Sequence, residues 1–283
     1  MFRFVSFVEQ NQHKIDWTFL SVNTSPGAIY LLEQNPDKID WKWLSNNSEA
    51  IHILEKNQDK INWRVLSVNP GAINILKQNP DKIDWQILSK NPNAISLIEA
   101  NQDKIDWACL SQNPSPGAIN LLKQNPTKIV WSMLTTNPSP DAIQLLKENP
   151  GKINWVMLSV NPSPGAVSIL EQNQHKIFWQ LLSENPEAIH LLEQNQNKID
   201  WKWLSRNSKA IHLLEQNQDK IDWKCLSVNP FIFTYDYEWM LTSMYESGLA
   251  AQIIQNRLHP SQIEHFADYG FENVLDETEL MIV

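Results

Sequence analysis

The sequence predicts an all-α fold: a right-handed α-solenoid of about ten two-helix repeats with a helical C-terminal cap. The first observation is that the phrase Ile-x-Trp occurs ten times, with successive tryptophans 22 or 24 residues apart. A fixed period of this length is the signature of a repeat architecture. The second observation is that each repeat carries apolar residues at helical spacing, without the alternation that would indicate strands.

Several positions in the repeat do not vary within the chain. Each Trp is preceded by Lys-Ile-x and followed by Leu three residues later and Asn six residues later, and another Asn stands three residues before each Lys. Because one pair of short helices cannot bury its own apolar face, we expect neighbouring repeats to stack into a continuous core. We assign ten tryptophans to this core: Trp17, Trp41, Trp63, Trp85, Trp107, Trp131, Trp155, Trp179, Trp201 and Trp223.

Each repeat is predicted to contain a longer and a shorter helix. In the fifth repeat the longer helix runs from Pro92 with Asn91 as its N-cap, and Asn101 is expected to end it in a left-handed conformation. The shorter helix covers about Trp107–Ser111 behind the N-cap Asp106. At this length an α-helix and a 3₁₀ helix are both open.

The ends of the chain depart from the repeat. Residues 1–11 fit only the second half of the longer helix, so we interpret them as a degenerate half repeat. The pattern stops after Asn229-Pro230, and two helical stretches follow, at about 238–258 and 260–269. We therefore divide the chain into a repeat solenoid, 1–229, and an acidic helical C-terminal cap, 230–283, and expect the two ends to cap an elongated stack.

Charge and composition exclude several classes of protein. Residues 1–229 hold 23 acidic and 22 basic side chains, whereas residues 230–283 hold nine acidic side chains and only Arg257. Nucleic-acid binding needs clustered cations, so this balance argues against it. The chain lacks an apolar run long enough to cross a membrane and an N-terminal signal sequence. The two cysteines, five repeats apart, favour free thiols and a reducing compartment.

The repeated polar residues have structural explanations. We expect each repeated Lys to face nearby acidic turn residues or the carbonyl end of a helix, with a charged binding edge as the alternative. The repeated Asn residues are expected to cap helices. His52, His190 and His212 share one exposed helix position without metal-ligand spacing. No catalytic motif occurs, and Val130 and Phe178 replace the Asp N-cap with unreactive side chains, so we expect neither an enzyme nor a cofactor.

Two rows of variable residues are the candidate partner-binding surfaces, with neutral drift on a solvated surface as the alternative. The first row follows each Ala-Ile pair, or Ala-Val in one repeat, and is uncharged and polar, which suits adaptable recognition. It comprises Tyr30, His52, Asn74, Ser96, Asn120, Gln144, Ser168, His190 and His212. The second row follows each Trp, and its candidate contacts are Thr18, Lys42, Arg64, Gln86, Gln180, Lys202 and Lys224.

The repeats resemble a known family. Units reading Asn-Pro-x-Ala-Ile-x-Leu-Leu-Glu-Gln-Asn-Pro-Asp-Lys-Ile-Asp-Trp-x-x-Leu-Ser are similar to the tandem repeats of giant (nucleocytoplasmic large DNA) virus proteins. Residues 229–237 resemble the ending of those arrays, as do residues 259–263, except that the family usually has Arg where Gln262 stands. The Asn-Pro-Ser-Pro joints also resemble the leucine-rich repeat variant, a right-handed stack of α and 3₁₀ helices.

Three functions remain open at this stage. The first is a monomeric, non-enzymatic scaffold that binds host or viral proteins in the reducing host cytoplasm. The second is a structural component of the virion, and the third, disfavoured by charge, is nucleic-acid binding. The choice of a scaffold over the other two rests on analogy with other repeat proteins.

Overall fold

The computed structural model describes residues 2–247, apart from the side chains of residues 237, 238 and 245. It contains two bodies: a repeat body, Phe2–Thr234, and a C-terminal body, of which Tyr235–Ser247 is described. Each repeat consists of a longer helical segment, a 3₁₀ turn and a short helix, so the all-α repeat architecture is confirmed. We number the units 1 to 10 by their tryptophans, from Trp17 to Trp223, and end each unit at the Asn six residues after its Trp.

The short helices are single turns of α-helix, which resolves the choice between α and 3₁₀. Eight of them begin behind an Asp or Asn whose side chain accepts a backbone N–H of the first turn. Asp106, for example, accepts the Cys109 N–H at 2.8 Å. Units 6 and 8 lack this cap because Val130 and Phe178 stand there. The ten short helices are Trp17–Leu20, Trp41–Leu44, Trp63–Leu66, Trp85–Leu88, Trp107–Ser111, Trp131–Leu134, Trp155–Ser159, Trp179–Leu182, Trp201–Leu204 and Trp223–Leu226.

The longer segment takes two forms. In the four units with the two-residue insertion it is a continuous α-helix, because an inserted Ser caps it and Pro occupies its first position: Pro26–Gln34, Pro116–Gln124, Pro140–Glu148 and Pro164–Glu171. In four of the 22-residue units it is a 3₁₀ turn followed by a shorter α-helix: Ser48–Ala50 with Ile51–Lys56, Pro70–Ala72 with Ile73–Gln78, Pro92–Ala94 with Ile95–Glu99, and Pro186–Ala188 with Ile189–Gln194. Unit 10 has Ile211–Gln216 alone.

The expectation that Asn101 adopts a left-handed conformation is wrong. Its φ is −136°, and its side chain caps the helix instead by donating from Nδ2 to the Leu97 carbonyl at 2.9 Å. The same arrangement recurs at the equivalent Asn of each unit, and a 3₁₀ turn follows it. These turns are Gln12–Lys14, Pro36–Lys38, Gln58–Lys60, Pro80–Lys82, Gln102–Lys104, Pro126–Lys128, Pro150–Lys152, Gln174–Lys176, Gln196–Lys198 and Gln218–Lys220.

Buried asparagines join neighbouring units. In every unit the Asn six residues after Trp donates both Nδ2 hydrogens to two carbonyls of the preceding unit. In unit 3, for example, Asn69 donates to the Ser45 carbonyl at 3.0 Å and to the Asn47 carbonyl at 3.1 Å. The Oδ1 of each such Asn accepts the N–H two residues later, which is the predicted cap. The members of this ladder are Asn23, Asn47, Asn69, Asn91, Asn113, Asn137, Asn161, Asn185, Asn207 and Asn229.

The first unit is completed by the C-terminal end of the repeat body. Ser6–Glu9 supplies the second half of its longer segment, and Pro230–Ile232 supplies the first half. The Val5 N–H donates to the Ile232 carbonyl at 2.8 Å, and Ile232 is fully buried. The strands Phe2–Phe4 and Phe233–Tyr235, which the sequence did not predict, pair beside this junction.

The ten units therefore close into a ring. Asn23 of unit 1 donates to the Ser227 and Asn229 carbonyls of unit 10, at 3.1 and 3.0 Å, as every other ladder Asn does to its predecessor. The Asp16 N–H donates to Ser227 Oγ at 2.9 Å, again the bond found between all neighbouring units. The two ends do not cap an elongated stack, as we expected, because each holds half of one unit and the halves fit together.

The C-terminal body begins with one helix, Tyr237–Glu246, behind the N-cap Asp236. This helix coincides with the start of the predicted stretch 238–258. Residue 247 forms a turn, and the remainder of that stretch, 248–258, and the predicted helix at 260–269 lie outside the described residues.

Candidate partner-binding surfaces

Eight of the ten repeated lysines lie over tryptophans, where we expected acidic turn residues or the carbonyl end of a helix, and the alternative of a charged binding edge stays a prediction. Lys104 Nζ stands 4.3 Å from the centroid of the Trp85 ring in the preceding unit. Seven further lysines do the same, at 4.1 to 4.8 Å: Lys14, Lys38, Lys60, Lys82, Lys176, Lys198 and Lys220. All ten tryptophans pack against the core but remain partly exposed, so the Lys stems cover the outer face of the indole rings.

The row on the longer helices is solvent-accessible, and its histidines contact the preceding unit. His52 Nε2 lies 2.8 Å from Glu33 Oε1, His190 lies 2.7 Å from Glu171, and His212 lies 2.9 Å from Glu193. Tyr30 is 39% exposed. Asn74, Ser96, Asn120 and Gln144 are also exposed, and Ser168 is half-buried. The structure thus places the row on one surface, with three of its members paired to Glu.

The row on the short helices contacts the next unit. Arg64 Nε lies 3.6 Å from the carboxylate of Asp84, which stands directly before the next Trp. Lys224 of unit 10 lies over the Phe19 ring of unit 1 at 4.9 Å, so this row also continues across the ring closure. Lys42, Gln86, Gln180 and Lys202 are exposed, whereas Thr18 is half-buried.

A third row escaped the sequence analysis. The residue two positions after each Trp is apolar in all ten units. Nine of these side chains are half-buried or exposed, and only Cys225 is buried. The row is Phe19, Trp43, Val65, Ile87, Cys109, Met133, Met157, Leu181, Trp203 and Cys225. The sequence does carry a signal for this row. The position is always apolar, but its residue type changes from unit to unit, which indicates that stacking of the units does not fix it.

The exposed face of the short helices has two different halves. Three positions form this face: the residue before each Trp and the two residues after it. In units 5 to 8 only Asp106 is charged among these twelve residues, whereas nine of the eighteen residues in the other six units are charged. Because the ring closes, those other six units are also consecutive. We call the two halves the apolar arc and the charged arc.

The apolar arc is built where the repeat pattern breaks. Since Arg64 contacts Asp84, the residue after one Trp lies beside the residue before the next Trp. Val130 and Phe178 stand at the second of these positions, and their counterparts in the preceding units are Ala108 and Val156. Met133 and Met157 flank them on the third row. Phe178 is 50% exposed and Met157 is 37% exposed.

Both cysteines are free thiols. Burial, reinforced by the Asp106 carboxylate that also hydrogen-bonds to it, raises the pKa of the Cys109 thiol to about 11. Burial also raises the pKa of Cys225, with Asp222 in the corresponding role. A thiol with such a pKa is protonated at neutral pH and is a poor nucleophile.

Within residues 2–247, no group of three or more His, Cys, Asp or Glu side chains is arranged to hold a metal ion. Over the same residues, no helix is long and apolar enough to cross a membrane. Comparison with known protein families, with curated proteins and with solved structures found no match to this chain.

Proposed function

We propose that the closed ring of ten units is a non-enzymatic scaffold that binds host or viral proteins along the exposed face of its short helices. The observation that carries this proposal is the contrast between repeated and variable positions. Positions that join the units, such as the Asn ladder, are the same in all ten units. Positions on the exposed face of the short helices change, and they divide into an apolar arc and a charged arc.

The fold gives this surface a rigid support. Each unit is joined to both neighbours, so no unit is a free end that could fray. Binding to a pre-organised surface costs less conformational entropy than binding to a mobile one. The proposal includes a monomeric ring, a right-handed winding of the chain, and the host cytoplasm as the compartment.

Nucleic-acid binding is the less favoured function. The repeat region is almost neutral, with 23 acidic and 22 basic side chains in residues 1–229. Eight of its lysines lie over tryptophans, and the short-helix cation Arg64 stands beside a carboxylate. Phosphate backbones require cations that are free to replace counterions.

An affinity capture from infected host cytoplasm, with the intact chain as bait, tests the scaffold function. Two variants locate the face. One replaces Tyr30, Asn74 and Asn120 by Lys on the longer helices, and the other replaces Lys42, Lys202 and Lys224 by Glu on the short helices. All six side chains are exposed, and the contact of Lys224 with the Phe19 ring is a surface contact, so neither variant should unfold the protein.

We expect a partner that the intact chain and the longer-helix variant retain in the same amount and that the short-helix variant retains less. Failure of the intact chain to enrich any protein over bead controls would contradict the scaffold function. Capture of virion proteins in fixed proportion, unaffected by either variant, would favour the alternative of a structural virion component.

A further inference from the structure

Two of the ten repeated lysines differ from the others. Lys128 and Lys152, in the neighbouring units 6 and 7, do not lie over tryptophans as the other eight do. Both side chains are exposed, and within residues 2–247 neither has a hydrogen bond, an ion pair or a ring contact. The contacts that join the units therefore do not use these two ammonium groups.

The carboxylates that surround this lysine position elsewhere are missing from the same part of the ring. Two positions flank each repeated Lys: the turn residue directly before it and the residue two positions after it, which precedes Trp. In units 1 to 5, 9 and 10 at least one of the two is Asp, as Asp103 and Asp106 flank Lys104. In units 6 to 8 neither is. The six residues there are Thr127, Val130, Gly151, Asn154, His175 and Phe178.

The backbone places each Lys and the residue before Trp on the same side of the chain. Ile129 and Val130 are extended, and Ile129 packs against the core. Side chains two residues apart in an extended segment point to the same side, so Lys128 and Val130 both face away from the core side of Ile129. Ile153 and Asn154 repeat this conformation after Lys152. We call the surface formed by Lys128, Val130, Lys152 and Asn154 the basic edge.

The fold does not require the loss of the carboxylates. The φ of Gly151 is not in the left-handed region, and a Cβ there would meet nothing within 4 Å. Asp would therefore fit, and Asp stands at this position in five other units. Asn154 still caps its helix by accepting the Met157 N–H at 3.2 Å, but without a charge. Val130 gives up the cap as well. These replacements, by three different residue types, share one effect: they remove negative charge from around Lys128 and Lys152.

The remaining charges of units 6 and 7 leave the basic edge positive. The two units hold four lysines and two acidic side chains, a net charge of +2. Asp141 pairs with Lys123 at 3.4 Å, and Glu148 accepts a hydrogen bond from Gln144 at 2.9 Å. Exposed ammonium groups without neighbouring carboxylates attract a negatively charged partner.

The extent of the basic edge favours an acidic protein segment over a nucleic acid. Lys128 and Lys152 are one unit apart, about 8–10 Å, which an extended segment spans in about three residues. Asp103 and Asp106 precede the edge in unit 5, and Asp200 follows it in unit 9, so a longer polyanion would meet carboxylates. Phosphate groups are commonly held by the fork of an arginine, and units 6 to 8 contain no arginine.

We propose that the basic edge is the docking site for a short Asp- and Glu-rich segment of a partner protein. The carboxylates of the segment lie on the ammonium groups of Lys128 and Lys152. The edge borders the exposed face of the short helices, because Val130 and Asn154 belong to both. Such exposed charge pairs are weak and sensitive to salt, and they select the partner and speed its association. This inference rests on the proposed scaffold function and names the chemistry of the partner.

Two pairs of substitutions test the basic edge in different ways. Lys128→Gln with Lys152→Gln removes the two positive charges. Thr127→Asp with Gly151→Asp keeps both lysines and restores the turn carboxylates found in other units. All four positions are exposed, so both variants should fold.

The matched control is Lys56→Gln with Lys77→Gln. These two lysines are exposed and, within residues 2–247, also have no partner, but they lie in units 3 and 4. Each of the three pairs lowers the net charge of the chain by two. A general effect of net charge would therefore appear in all three variants.

The probe is a fluorescein-labelled peptide of about 12 residues in which Asp and Glu alternate with Ser. A second peptide has Asn and Gln in place of Asp and Glu. We expect anisotropy titrations of the full chain at about 50 mM salt to show binding of the acidic peptide only. Both edge pairs should weaken this binding at least about threefold, whereas the control pair should leave it unchanged.

Three results would overturn the proposal. They are no binding of the acidic peptide up to about 1 mM, unchanged binding in either edge pair, or equal weakening in the control pair. A labelled single-stranded oligonucleotide that binds more tightly than the peptide, and loses binding in the Lys128→Gln, Lys152→Gln variant, would assign the edge to nucleic acid instead. In the capture experiment, a partner that this variant retains in full would disprove the site while leaving the scaffold function intact.

Discussion

At the scale of single residues, one asparagine per unit serves the fold twice. Its Oδ1 caps the segment that follows, which its position before Pro, Ser or Thr predicts. Its Nδ2 satisfies two buried carbonyls of the preceding unit, which no pattern within one repeat could reveal. Buried carbonyls without a donor cost free energy, so the residue is fixed by two neighbours at once.

We expect Asn113→Ala to lower the free energy of unfolding by about 2–4 kcal/mol, because two buried hydrogen bonds and a partly buried one are lost together. Asn113 donates to the carbonyls of Ser89 and Asn91 at 3.1 and 2.9 Å and accepts the Ser115 N–H at 3.0 Å. Urea unfolding followed by tryptophan fluorescence measures the change. Asn125→Ala, which removes one partly buried bond to the Leu121 carbonyl, should cost only about 1 kcal/mol. Equal losses of unfolding free energy in the two variants would show that the Asn residues that join units stabilise the fold no more than the Asn residues that cap single helices.

The environment of Cys109 predicts a slow thiol. With its pKa raised to about 11, the thiolate fraction near pH 8 is roughly 100-fold below that of an ordinary cysteine. In a Cys225→Ser background, iodoacetamide should therefore alkylate Cys109 far more slowly than a cysteine placed at the exposed Gln86. Asp106→Asn keeps a capping side chain and removes the charge, so it should lower the pKa and speed the reaction. Alkylation at the rate of the exposed cysteine would contradict this account.

At the scale of secondary structure elements, the helix caps distinguish the units, because units 6 and 8 lack the side-chain cap that the other short helices have. The sequence predicted these caps correctly, because Asp or Asn before a helix has a local physical cause. It did not predict the 3₁₀ start of the longer segment in the 22-residue units. That start follows from the absence of the Ser-Pro insertion, and the cap is then supplied by an Asn that also joins two units.

Substitutions at the residue before Trp should act with opposite signs. Asp106→Ala removes the bond to the Cys109 N–H and should destabilise the protein by about 1 kcal/mol. Phe178→Asp supplies the missing cap in unit 8 and should stabilise it by a similar amount. Thermal unfolding of the two variants beside the natural protein measures both. Destabilisation by Phe178→Asp would mean that Phe178 contributes to packing.

At the scale of the whole repeat body, the sequence predicted the units but not their closure. The rotation between neighbouring units determines whether a stack closes, and no single residue encodes that rotation. The two ends of the repeat region nonetheless contain one indication of closure. Residues 5–11 match the second half of a longer segment, and residues 229–232 match the first half. The two incomplete ends are complementary, and together they make one unit. The continuous charged arc is another consequence, since Lys224 of unit 10 lies over the Phe19 ring of unit 1 only after closure.

The distance between units 1 and 10 tests this closure directly. Spin labels at Thr18→Cys and Lys224→Cys, in a Cys109→Ser, Cys225→Ser background, report on it by pulsed electron paramagnetic resonance. In the ring, Lys224 Nζ lies 4.9 Å from the Phe19 ring beside Thr18, so we expect a short label distance. An open stack would place nine steps of about 8–10 Å between them, and a distance beyond about 50 Å would disprove the ring.

A second pair of spin labels and one substitution test whether a short Thr18–Lys224 distance comes from closure of the ring. Labels at Thr18 and Arg64, two units apart along the chain, should give an intermediate distance in either arrangement. Ile232→Asp buries a carboxylate in the composite unit, where Ile232 is fully covered and its carbonyl accepts from Val5. We expect this substitution to open the junction, lengthening the Thr18–Lys224 distance while leaving the Thr18–Arg64 distance unchanged. If both distances stayed short and unfolding were unaffected, the composite unit would not hold the ring together.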